Sequence, residues 1–185
     1  MRYWLDTEFI EDGKTIDLIS IGMVAEDGRE LYAENKECDL SRANEWVKEN
    51  VLRHLYSHDT ENRIKGNKFS RDGGRGGWLT RAEIAREIRL FCDPETYGLP
   101  EIWGYYADYD WVAFCQLFGC MIDLPKGFPM YCRDLKQLCD HCGNPELPKQ
   151  SSTEHHALAD ARWNHEVHNF LKGLTPAQLG MATTG

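Results

Sequence analysis

The amino-acid sequence predicts an α/β layered fold. β-rich runs separated by Asp-Gly turns fill its first third, and alternating helical and strand patterns fill the rest. The runs are RYWLDTEFI, IDLISIGMVAE and RELYAE, divided by EDGK and by the EDG before Arg29. An Asp-Gly pair between such runs is a strong tight-turn signal, so the three read as an antiparallel meander.

A helix opened by Ser41 comes next, with Ala43, Trp46, Val47, Val51, Leu52 and Leu55 on one apolar face. Residues 57–78 are polar and glycine-rich and read as a long loop. Arg63, Lys65, Lys68, Arg71 and Arg75, with Phe69, suit an arm contacting substrate phosphates, although a solvated insertion is the commoner origin of such a segment. Thr80 and Glu83 form a capping box for a helix carrying Ile84, Ile88 and Phe91. EIWGYYA (101–107) is the next strand. A helix follows through WVAFCQLF, with Asp108 as its N-cap and its end near Gly119. A short strand at 129–132 and a helix at 133–142 precede the last helix, expected from Glu154 to Lys172 with Gly173 as its stop. Residues 1–175 read as one domain of mixed five-stranded sheet and helices, and 176–185 as a flexible tail.

No apolar run approaches the roughly 20 residues that span a bilayer, and no membrane association is expected. The start, MRYWLDTEF, reaches two acids before any signal-peptide apolar region forms. Seven scattered cysteines are an odd count that fits a reducing compartment rather than a disulfide framework, so a cytoplasmic protein is expected. Cys139-x-x-Cys142 lacks a second well-spaced pair and falls in a helical stretch, which argues against a zinc site. The net charge of −9 disfavours a tight, nonspecific polynucleotide binder. It is compatible with an enzyme whose metal-binding carboxylates are neutralised by their cations.

Two features carry chemistry. Asp6 and Glu8 are two apart on the first strand, so both project from one face. Adjacent anions repel, and a hard divalent cation gives them a reason to be together. Near the C-terminus stands His155-His156-Ala157-Leu158-Ala159-Asp160. Residues five apart are about 140° apart around a helix, so His155 and Asp160 diverge in mid-helix. They converge if His155 lies just before the first turn and Asp160 inside it.

DTE on the first strand, an acid after a mid-chain strand, and H-x-A-x-x-D on a late helix resemble the three motifs of the DEDDh 3′→5′ exonuclease superfamily, which includes ribonuclease T and oligoribonuclease. RYWLDTEFIEDGKTIDLISIGMVAEDGRE and YDWVAFCQLFG are most similar to the small mycobacterial and phage 3′→5′ exoribonuclease family. The resemblance runs to about residue 170, apart from 57–78. It implies an RNase H-like fold and release of nucleoside 5′-monophosphates from 3′ ends. Two Mg²⁺ or Mn²⁺ ions would be held by Asp6, Glu8, Asp160 and a middle acid. Asp108 and Asp110 both suit that place; the family pattern, an aromatic followed by Asp, matches Tyr109-Asp110. His155 would be the general base, and an imidazole is suited to that task at neutral pH. Thr7 and Phe9 would line the terminal-nucleotide pocket. The resemblance also implies RNA as substrate and a homodimer. A DNA-directed exonuclease and a non-catalytic nucleic-acid-binding domain of the same fold are the alternatives.

Overall fold

The computed structural model describes residues 1–56, 75–150 and 154–174. Within them a mixed sheet forms in the order β4-β3-β2-β1-β5-β6. The meander is built as expected from β1 (Arg2–Glu11), β2 (Ile16–Ala25) and β3 (Glu30–Asn35), paired antiparallel in sequence. Gly13 and Gly28 supply the positive φ that the two tight turns require, at 78° and 86°. The Asp beside each locks the turn: Asp12 accepts from the backbone N–H of Lys14 and Thr15, and Asp27 from that of Arg29.

The sheet has six strands rather than five. β4 (Arg75–Leu79) lies parallel to β3, inside the stretch expected to be loop. RGGWL has two glycines and no alternation, so nothing local marks it as a strand; the free edge of β3 supplies the pairing. The remaining strands, β5 (Glu101–Gly104) and β6 (Arg133–Asp134), extend the other side in parallel. β5 stops at Gly104, three residues short of expectation, because the chain turns sharply there. A Cβ on Gly104 would meet that of Ala107 at 2.7 Å. β6 falls at 133–134, not 129–132.

Of the helices, α1 (Glu45–Asn50) is capped by Asn44, while Ser41 sits in a separate 3₁₀ turn capped by Asp39. Both caps are Asx side chains, which accept a first-turn N–H as readily as serine does. α2 (Arg81–Phe91) has the expected Thr80–Glu83 capping box, and a one-turn α3 (Pro94–Tyr97) follows it. α4 (Asp108–Gln116) begins at Asp108 itself, so this residue is in the first turn and not the cap. Asp134 caps α5 (Leu135–His141). α6 (Ala157–Gly173) starts three residues later than expected and is capped by His156. The arm residues Arg63, Lys65, Lys68, Phe69 and Arg71 and the tail at 176–185 lie outside the described residues.

Alternation along β1 decides what each face meets. Tyr3 and Leu5 join the core formed with Ile84, Ile88 and Phe91 of α2 and Ala113 and Phe114 of α4. Trp4 packs against Ala161, Val167 and Leu171 of α6, and Ile10 against Val47 of α1 and Val51 just after it. Asp6 and Glu8 share the parity of Trp4 and Ile10. They therefore sit between two separate apolar clusters.

Candidate active site

Asp6, Thr7, Glu8, Phe9, Asp110, His155 and Asp160 line one cleft of ≈ 210 Å³, together with Trp46 and Val51. All five residues expected to carry chemistry, and both expected to touch the terminal nucleotide, are brought together there. Each arrives by a different route.

Asp110 comes from the opposite face of the sheet through the first turn of α4. Its Oδ1 accepts from the backbone N–H of Thr7 at 2.7 Å and from the Thr7 hydroxyl at 2.6 Å. β1 pairs with β5 only as far as Trp4, so the Thr7 N–H has lost its ladder partner and the carboxylate replaces it. Asp110 is buried, whereas Asp108 is exposed. Of the two middle acids, Asp110 alone lines the cleft.

His155 and Asp160 meet across the start of α6 in the manner the motif requires. His155 precedes the cap, and Asp160 is in the first turn. The backbone N–H of His155 donates to Asp160 Oδ2 at 2.9 Å. This geometry places His155 at φ 66°, a left-handed conformation that costs a non-glycine residue about 1–3 kcal/mol and persists only where its surroundings fix it. His156 is one such restraint. Its Nδ1 accepts from the Ala159 N–H, and its ring stacks on Tyr32 at 4.6 Å. The sequence showed His156 only as a variable place between two motif residues.

Four further contributors carried little or no signal. Gln150 Nε2 donates to Asp160 Oδ1, from a segment pinned by the Trp163 indole N–H to the Pro148 carbonyl at 2.9 Å. Trp46, expected on an apolar helix face, is 54 % exposed and stands T-shaped to the ring of His155, centroids 4.8 Å apart. Gly22 pairs with Asp6 across the sheet, and a Cβ there would lie 2.3 Å from the backbone of Ala157. Only glycine lets the start of α6 rest on β2, which carries Asp160 to the acids of β1. A glycine inside the run IDLISIGMVA was the available hint. Asn164 holds the same helix down by donating to the Leu5 carbonyl at 2.9 Å.

Electrostatically the cleft is loaded. Burial, followed by repulsion from Asp110, Glu8 and Asp160, holds the Asp6 carboxyl well above the ordinary carboxylate range. Burial and the charge of Asp160 push Glu8 to about 8. Burial raises Asp110 and Asp160 to about 6, against the pull of their hydrogen bonds from Thr7 and His155. Among the described residues no lysine or arginine pairs with any of the four. Four crowded carboxylates that no described lysine or arginine pairs fit a site for divalent cations, which would supply positive charge.

A mixed α/β sheet in this strand order, with acids gathered where β1 runs beyond β5, is consistent with the nucleases of RNase H-like architecture. Residues 1–171 match the family described as the 3′-5′ exoribonuclease Rv2179c-like domain, and the chain belongs to it. Two curated relatives are the 3′-5′ exoribonucleases Rv2179c and MT2234.1 of two Mycobacterium tuberculosis strains. Each is 41% identical over 162 residues, which cover 88% of this chain and 88% of the relative.

Proposed function

We propose that this protein is a 3′→5′ exoribonuclease that releases nucleoside 5′-monophosphates, with Asp6, Glu8, Asp110 and Asp160 as ligands for two divalent cations, Mg²⁺ or Mn²⁺. The observation that carries the reading is the convergence of the four carboxylates and His155 in one cleft. Paired cations there would stabilise the attacking water and the departing 3′-oxygen. Asp6, crowded by the other three carboxylates, would be a ligand of both cations. Glu8 and Asp160 complete the nucleophile side, and Asp110, fixed by Thr7, serves the leaving-group side.

His155 takes the proton from the attacking water. It stands beside Glu8 and Asp160, with ligand atoms of the three within 4.8 Å of one another, so its ring reaches a water held between those carboxylates. Thr7 acts here by orienting Asp110, and Phe9, half-buried, lining the cleft and T-shaped to Tyr109, meets the terminal nucleoside. RNA as substrate rests on the family and on the names of the relatives. Residues 1–175 act as one catalytic domain. A cytoplasmic setting accords with seven free cysteines. No helix among the described residues is long and apolar enough to cross a membrane. A homodimer, implied by the resemblance, is tested by sedimentation.

The deciding experiment incubates the protein with 5′-labelled single-stranded RNA, single-stranded DNA and a 3′-overhang duplex, in Mg²⁺, Mn²⁺ or chelator. A ladder shortening from the 3′ end of RNA, abolished by chelator, is expected. Preferential DNA shortening makes it a DNA-directed exonuclease, and intact substrate in every metal makes it a binding domain.

A further inference from the structure

Glu8, His155 and Asp160 each offer a ligand atom within 4.8 Å of the other two, and one of the three is an imidazole nitrogen. We propose that this trio is also an inhibitory site for Zn²⁺, which captures His155 and removes it from proton transfer. The inhibitory consequence rests on the catalytic role given to His155 above; binding of the ion rests on the trio alone.

The donor set separates two classes of cation. Mg²⁺ takes oxygen ligands in near-octahedral geometry and leaves an imidazole free. Zn²⁺ accepts carboxylate oxygen and imidazole nitrogen together, and binds a given mixed site more tightly than Mn²⁺ does. A tetrahedral zinc with bonds near 2.0–2.2 Å sets its donors about 3.4 Å apart. The spacing present, within 4.8 Å, is wider, so the side chains would have to close on the ion. Three protein ligands would leave a fourth position for water.

The ring of His155 is available for this. Among the described residues neither of its nitrogens has a hydrogen-bond partner, and its contact with Trp46 is ring to ring, at 75°. The neighbouring His156 is not available, because its Nδ1 caps α6 and its Nε2 is buried. Asp110 is held on the far side by Thr7. Glu8 and Asp160 are shared with the proposed catalytic cations, so zinc and magnesium compete.

Metal-free protein is titrated with Zn²⁺ against a chromophoric chelator, and with Mn²⁺ in parallel, for the natural chain, His155→Ala and His155→Gln. Thermal melting verifies that the variants fold. Both variants are expected to bind Zn²⁺ about tenfold or more weakly, with Mn²⁺ affinity changed by less than about threefold. Co²⁺ should give the natural chain an intense visible absorption that His155→Ala lacks. About one equivalent of Zn²⁺ should suppress RNA shortening in Mg²⁺, and chelator followed by fresh Mg²⁺ should restore it. Equal Zn²⁺ affinity in all three proteins, or full turnover with Zn²⁺ bound, overturns the proposal. A chain inactive in both Mg²⁺ and Mn²⁺ defeats the nuclease reading instead, and the titration still decides whether the zinc site exists.

Discussion

The backbone N–H of His155 donates to the carboxylate of Asp160 at 2.9 Å, across the start of the final helix. A proposed metal ligand thereby fixes the backbone of the proposed base. Displacing one displaces the other, so the two should behave as a unit under mutation.

Asp160→Asn keeps a carbonyl oxygen for that hydrogen bond and removes the charge. It should lower the rate of RNA shortening on the order of 10³-fold, as should Asp6→Asn, and the double variant should be little worse than either. Single-turnover assays at saturating Mn²⁺ provide the measurement. Full activity in Asp6→Asn would show that the bridging assignment is wrong.

Asp108→Asn and Asp110→Asn separate the two middle acids. Asp108 is exposed in the first turn of α4, whereas Asp110 is buried and held by both the N–H and the hydroxyl of Thr7. Only Asp110→Asn should cost orders of magnitude. Thr7→Val, which removes the hydroxyl and leaves the N–H, should cost about tenfold, as loss of a group orienting a metal ligand commonly does. A dead Asp108→Asn beside an active Asp110→Asn would reverse the assignment.

Gly22→Ala places a methyl within 2.3 Å of the Ala157 backbone. Backbone cannot yield as a side-chain tip does, so α6 must lift from β2. Overpacking of this kind destabilises by about 1–3 kcal/mol, and the retreat of Asp160 should lower Mn²⁺ affinity as well. Melting and manganese titration check the two effects; unchanged values for both would mean that the helix start does not rest on this glycine.

The acidic cluster should make metal-free protein less stable as pH rises. Glu8 ionises at about 8 in the fold and Asp6 well above the ordinary carboxylate range, whereas carboxyls of the unfolded chain ionise near 4. A folded-state value above the unfolded one gives stability that is complete below about pH 4 and is lost as pH climbs through the folded value. His156, His165 and His168 are depressed mainly by burial and act oppositely, losing stability as pH falls below about 6.5. The window from pH 6.5 to 8 therefore isolates the carboxylates. The melting temperature in chelator should fall across it, and Mn²⁺ should raise it most at pH 8. A chelator-treated protein equally stable at both ends would contradict the crowding.

Much of the architecture was legible because its causes are local. Asp-Gly turns, strand alternation and the Thr80–Glu83 box act within a few residues, and they specify the meander and α2. The shared face of Asp6 and Glu8 follows from a two-residue repeat, and the meeting of His155 with Asp160 from placing one before the helix and one in its first turn. The residue types alone pointed to divalent-cation chemistry.

What depended on distant segments was not legible. β4 exists because β3 offers an edge, and Asp110 reaches the cleft because β5 ends early and leaves the Thr7 N–H unpaired. Gly22, Gln150 and Trp46 matter through contacts with residues far along the chain, and a one-dimensional pattern carries no record of approach distance. The sequence by itself determined which groups are present and which way each points along its own element. Tertiary packing decided whether they meet, since closing α6 onto β2 needs van der Waals contact between segments some 135 residues apart, from Gly22 to Ala157.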